Sequence, residues 1–273
     1  MGNIKTKGYK LIALDLDDTL LTPSKQISEE NIKAIRRAID AGVRVVLASG
    51  RTAEGMRFAA DAIGRPGDYA ISAGGAVVTD PKGREVYSRP VPSDTAKEIM
   101  TYAARNDAYF QVFCGSDFYF ISRTAYTDAY ELSCRFTGKE DPGIMDWTDI
   151  STSKILIIDK QERIDQMRSD LAALFPDVKP VYSQSGYLEI VNATASKGKA
   201  LSFIMRTLGI AKEQVIAMGD SEIDIPMLKA AGLGIAVSNA RAEVLRIADH
   251  ITGSNVENGV AAVINQFIFG ESQ

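Results

Sequence analysis

Three aspartates, Asp15, Asp17 and Asp18, stand within four positions where the apolar run LIAL ends. A second acidic pair, Asp220 and Asp224, follows the run QVIAMG, and Ser49, Gly50 and Arg51 close a third, VRVVLASG. Short apolar runs bounded by polar residues read as buried strands, and in a doubly wound sheet the carboxyl ends of separate strands meet in one crevice. Taken singly, the aspartates have ordinary roles as turn formers and helix caps. Taken together, the carboxylates of Asp15, Asp17, Asp220 and Asp224 repel one another unless a cation neutralises them, and an all-oxygen set of this kind suits Mg2+.

A cation bound by carboxylates keeps waters and a substrate phosphate as further ligands, so anion donors belong in the same crevice. Ser49 offers a hydroxyl, and Gly50 lies in the strand-to-helix turn SGRT, whose backbone amides favour an anion. Lys197 opens a helix in ASKGKAL, where a cation meets the positive end of the helix dipole. A bound phosphate reverses that penalty; the competing reading is a solvated surface lysine. Lys199 and Arg51 are weaker candidates, each with an ordinary surface role available.

The elements that position these residues alternate. A strand over 9–15 precedes a helix capped by Ser28, with Glu29 and Glu30 in its first turn and Gly42 past its end. A strand over 43–50, a helix from Thr52 and a strand over 68–72 follow. The fold class is therefore α/β, a doubly wound parallel sheet. Residues 74–89 read as a hairpin around Asp80–Gly83. A mixed region comes next, with a helix from Ser93, strands YFQVFC, FYFIS and SKILIID, a helix from Gln161 and two strands ending at YLEIVN. The first style resumes at 197, with a helix, a strand over 214–220, a helix from Ser221, a strand over 233–237 and a last helix from about Val256. The expected domains are a core of 1–87 and 191–273 interrupted by an inserted α+β domain of 88–190.

Composition narrows the function. The 273 residues are 45% hydrophobic and 24% charged, and no apolar run approaches the ~18 residues of a membrane span. A net charge of −4 gives no footprint for nucleic acid, and Cys114 and Cys134 are too few for a disulfide framework. His250 is the single histidine and reads as structural, because no G-x-S-x-G elbow accompanies it. Gly2 and Thr6 match the short myristoylation pattern, but the chance-match reading of so brief a pattern is preferred. The expectation is a cytoplasmic protein that binds neither nucleic acid nor membrane, as a monomer or homodimer.

DLDDT (15–19), ASGR (48–51), SKGKAL (196–201) and GDSEIDIPML (219–228) together resemble, in order and context, the four motifs of the haloacid dehalogenase superfamily. VSNA and ENGV are similar to its Cof-type group of sugar-phosphate phosphatases, including the YidA-like enzymes. The resemblance implies a phosphatase of a small phosphorylated metabolite. Asp15 would be the nucleophile and Asp17 the acid and base. Mg2+ would sit on Asp15, the Asp17 carbonyl and Asp220, with Asp224 in direct or indirect contact. Ser49, Gly50 and Lys197 would hold the phosphoryl group, and the insertion would act as a cap lining the leaving-group pocket. Two positions depart from the pattern, Gly74 and Ile223, where relatives often carry Asn. A phosphomutase, or a weakened phosphate-binding regulator, are the alternatives.

Overall fold

The structure, a computed structural model, describes residues 8–64 and 68–271, so Gly2 and Thr6 lie outside the described residues. The chain begins with β1 (Leu11–Asp15), α1 (Glu29–Asp40), β2 (Arg44–Ala48), α2 (Ala53–Ala62), β3 (Ala70–Ser72), β4 (Val77–Thr79) and β5 (Glu85–Ser88). Next come α3 (Ser93–Arg105), β6 (Tyr109–Cys114), β7 (Asp117–Phe120), α4 (Ala125–Cys134), β8 (Lys139–Glu140), β9 (Lys154–Ile158), α5 (Gln161–Leu174), β10 (Val178–Gln184) and β11 (Tyr187–Asn192). It closes with α6 (Lys197–Leu208), β12 (Val215–Gly219), α7 (Ile225–Ala230), β13 (Leu233–Val237), α8 (Ala242–Leu245), β14 (His250–Thr252) and α9 (Gly259–Val263). Two compact units result. One runs to Ser49, takes in Met56–Tyr87 and resumes at Ser196; the other is Gly50–Gly55 with Ser88–Ala195.

The first unit is built on an eight-stranded sheet in the order β14-β13-β12-β1-β2-β3-β4-β5. Pairing is parallel from β14 to β3 and antiparallel between β3 and β4. The central strand β1 is apolar throughout because both its faces are covered, as parallel sheets require. Ile12 and Leu14 pack on one side with Ile35 of α1 and Val260 of α9, and Leu11 and Ala13 on the other with Leu201 of α6 and Met227 of α7. Register matters most for chemistry. Asp15 pairs with Ala48 and Leu14 with Met218, so the residues that follow β2 and β12, Ser49 and the Gly219–Asp220 step, emerge at the level of Asp15.

The second unit has a six-stranded sheet in the order β10-β11-β9-β6-β7-β8. One face packs Phe110, Val112, Ile155 and Ile157 under Ile99 of α3 and Ile164 of α5. The other carries Phe113, Phe118, Phe120 and Leu156 against Cys134 of α4. Helix α4 and the short elements α8 and β14 are absent from the sequence reading. A helix whose main buried residues are Thr127 and Cys134 has little apolar periodicity to read, and the other two are three or four residues long. His250 lies in β14 and packs edge-on against Phe267, as a structural residue does.

The turn after β3 bears on the start of α6. Gly75 sits at φ +97°, and a Cβ there would run into the backbone of Ser196 and Lys197; Gly83, at φ +76°, faces open space. Gly75→Ala is therefore expected to cost more than about 3 kcal/mol, because strain and a backbone collision combine, whereas Gly83→Ala costs about 1 kcal/mol from strain alone. Urea unfolding of the two variants side by side checks this.

Candidate active site

Helix α6 begins at Lys197, capped by Ser196, whose hydroxyl accepts the Lys199 N–H. Lys197 is fully buried, so the surface-lysine reading does not hold. Its Nζ donates to Asp15 Oδ1 and to Asp224 Oδ1, each at 2.5 Å. Asp15 is 4% exposed and Asp224 fully buried. The second oxygen of Asp224 accepts the Asp220 N–H (3.2 Å), the Ser221 N–H (3.0 Å) and the Ser221 hydroxyl (2.8 Å). A side chain at Gly219 would occupy the space that the Asp224 carboxylate fills. The strand β12 thus ends in the one residue type that leaves room for the buried carboxylate of Asp224, five positions on.

Asp220 is half-buried and accepts a hydrogen bond from Thr19 Oγ1 (2.8 Å), which ties the turn after β1 to the end of β12. Asp15, Asp220 and Asp224 each offer an oxygen within 4.8 Å of the others. Burial, then Asp224, then Asp220 push the Asp15 carboxyl well above its usual range, against the pull of Lys197. Burial first and Asp224 second push Asp220 up to about 6, opposed by Thr19. Burial works against the Lys197 ammonium too, but Asp15 and Asp224 outweigh it and raise its pKa. Three clustered carboxylates with a single ammonium leave an excess of negative charge in a buried place. A hard divalent cation relieves that excess, and oxygen-only donors are the set that Mg2+ accepts, so the residues fit such an ion.

The remaining expected residues are disposed differently. Asp17, about one-third exposed, accepts a hydrogen bond and ion pair from Lys25 Nζ at 2.8 Å. Ser49 is buried; its N–H donates to Ile71 O and its carbonyl accepts the Gly74 N–H. In the second unit, the Gly50 carbonyl accepts from Lys154 Nζ (2.8 Å), which also pairs with Glu189 (2.8 Å) and is 1% exposed. Gly74 adopts φ 65° with open space where a side chain would stand, a conformation Asn also tolerates, and Ile223 is half-buried in the turn Glu222–Asp224. Sequence reasoning did not assign Thr19, Lys25, Lys154 or Glu189. Thr19 was within reach, since it closes DLDDT and a hydroxyl beside clustered carboxylates has an evident acceptor; the others depend on long-range packing.

Removing Lys197 isolates the electrostatics. In metal-free protein, Lys197→Met leaves Asp15 and Asp224 without their buried counter-ion and is expected to cost about 3–5 kcal/mol at pH 7. Asp15 and Asp220 bind protons more tightly folded than unfolded. Their contribution to stability is therefore recovered as pH falls toward the ordinary value of 3.8, for Asp220 through about 6, and the deficit of the variant is expected to shrink at pH 5. Urea unfolding at the two pH values measures this; an equal deficit at both contradicts it.

A sequence profile described as haloacid dehalogenase-like hydrolase matches residues 12–264. Phosphatase YwpJ of Bacillus subtilis is 32% identical, over 95% of this chain and 100% of its own length. The 5-amino-6-(5-phospho-D-ribitylamino)uracil phosphatase YcsE of the same organism is 33% identical, over 95% and 96%. A crystal structure of a haloacid dehalogenase-like hydrolase from Bacteroides thetaiotaomicron superposes with a TM-score of 0.88 at 28% identity, covering 94% of this chain and 99% of its own. Profile, relatives and fold agree with the buried aspartate cluster at the strand ends: the chain belongs to the haloacid dehalogenase-like hydrolases and is an enzyme, a phosphoric monoester hydrolase.

Proposed function

We propose that the protein is a Mg2+-dependent phosphatase of a small phosphorylated metabolite, a sugar phosphate by preference, working through an aspartyl-phosphate. The observation that carries the reading is the buried Asp15–Lys197–Asp224 arrangement with Asp220 beside it. A carboxylate held by a buried ammonium keeps one oxygen oriented for attack, and the ammonium stays charged beside the incoming phosphoryl group.

In this mechanism an Asp15 carboxylate oxygen bonds to phosphorus while the bond from phosphorus to the leaving oxygen breaks, and Asp17 gives that oxygen its proton. Asp17, now a carboxylate, then takes a proton from water as the water oxygen attacks phosphorus and the Asp15 oxygen departs. Lys197, Ser49 and the Gly50 amide hold the phosphoryl oxygens. Asp15, Asp220, Asp224 and the Asp17 carbonyl would hold the ion, which when bound supplies positive charge beside the transferring group. The insertion expected from the sequence, residues 88–190, is proposed to select the leaving group. The preference for a sugar phosphate draws on the relative whose substrate carries its phosphate on a ribityl chain. Placement in the cytoplasm is part of this proposal, in keeping with the free thiols of Cys114 and Cys134.

The test is release of inorganic phosphate from a panel of sugar phosphates, 5-amino-6-(5-phospho-D-ribitylamino)uracil and p-nitrophenyl phosphate. Release is expected with Mg2+ and lost both with EDTA and in Asp15→Asn. Turnover that survives Asp15→Asn removes the covalent mechanism, and an isomerised sugar phosphate in place of free phosphate identifies a mutase.

A further inference from the structure

The turn that carries Asp17 closes on a single carbonyl. The N–H groups of Thr19 (3.4 Å), Leu20 (3.0 Å) and Leu21 (2.8 Å) all point at the Leu16 carbonyl. Asp18 is held at φ 61°, in the left-handed region that costs a non-glycine residue energy and persists only where the surroundings impose it. Leu16, Leu20 and Leu21 are fully buried and fix one side of the turn. Its carbonyls are fixed from further along the chain. Asn239, which follows β13, donates from Nδ2 to the Asp18 carbonyl at 2.8 Å. Asn255, which follows β14 and is 5% exposed, donates from Nδ2 to the Leu21 carbonyl at 2.8 Å. The two asparagines are joined, since Asn239 Oδ1 accepts the Asn255 N–H at 3.0 Å.

We propose that Asn239 and Asn255 form a clamp that positions Asp17 for proton transfer to and from the oxygens at phosphorus. They touch neither phosphate nor metal site; they hold the backbone on the C-terminal side of Asp17, as Lys25 holds its carboxylate. The inference rests on the reading of Asp17 as acid and base. A clamp of neutral amides suits this place, because it fixes two carbonyls without adding charge next to clustered carboxylates whose ionisation depends on every nearby charge.

The alternative is an anchor that serves stability alone, and leaving-group chemistry separates the two. A nitrophenolate departs without a proton, whereas a sugar alkoxide needs one, so only the alkyl ester depends on Asp17 in the first step. Asn239→Asp replaces the donor with an acceptor at an exposed position, and Asn239→Ala does the same work without a charge; Asn255→Asp tests the buried half. For the exposed variants kcat/KM is expected to fall about tenfold or more with the best sugar phosphate of the panel and to stay within about twofold with p-nitrophenyl phosphate. Turnover of the aryl ester should then show a burst of nitrophenol, as breakdown of the aspartyl-phosphate becomes limiting. In metal-free protein, amide exchange over residues 16–22 should quicken in all three variants while β2 and β12 stay protected. Equal losses with both esters, or unchanged exchange over 16–22, overturn the clamp. Wild-type protein that releases phosphate from neither ester overturns the phosphatase reading itself, a result distinguishable from failure of the clamp.

Discussion

A single ammonium group shared by two buried carboxylates is the constraint around which the first unit is arranged. Lys197 has no exposure to water, so its hydration must be replaced by Asp15 and Asp224, and both must arrive within hydrogen-bond distance of one atom. Asp15 ends the central strand, Asp224 lies in the turn before α7, and Lys197 begins a helix more than one hundred and eighty residues after β1. Parallel register brings the strand ends level. Gly75 lets the turn after β3 touch the start of α6, and Gly219 leaves the volume that the Asp224 side chain occupies. These glycines and the register serve one contact.

That contact is deliberately incomplete in charge. One ammonium faces three clustered carboxylates, and the raised pKa values of Asp15 and Asp220 express the imbalance. A site balanced by its own side chains would have little use for a divalent cation or for a ligand that brings further negative charge. On the proposed reading, a negative balance makes a divalent ion the complement of the carboxylates and leaves Lys197 to serve the phosphoryl group. Stability is given up at the place where function requires it.

The alternating strands and helices of the first unit were legible because parallel strands buried on both faces are continuous apolar runs, and the helices between them carry caps such as Ser28 that name their starts. The gathering of Asp15, Asp220 and Asp224 was legible for a related reason, although the Asp17 carboxylate, expected beside them, pairs with Lys25 instead. Carboxylates at several strand ends have no shared structural purpose, so their coincidence points to chemistry. The clamp was hidden because Asn239 and Asn255 are ordinary loop residues until the sheet order places β13 and β14 beyond β12. Helix α4 was hidden because it contributes Thr127 and Cys134 to the interior and not a stripe of large apolar residues. Lys154 escaped notice because a lysine that opens an apolar strand reads as a solvent-facing end residue, yet here Glu189 and the Gly50 carbonyl replace its water.

The two asparagines and the lysine at the cluster divide the electrostatic work according to what each group must do. In the proposed mechanism the nucleophile attacks as a carboxylate, and Lys197 pulls Asp15 toward that form against burial and the neighbouring carboxylates, which still raise its pKa. A proton carrier has to pass between two charge states within one turnover, and a permanent buried ammonium bonded to it would favour one of them throughout. Asp17 accordingly lies outside the buried cluster, partly exposed and touched by the half-exposed Lys25, while its backbone is fixed by neutral donors. On this reading rigidity reaches the proposed proton carrier, Asp17, through amides, and charge is concentrated at the proposed nucleophile, Asp15, two residues earlier.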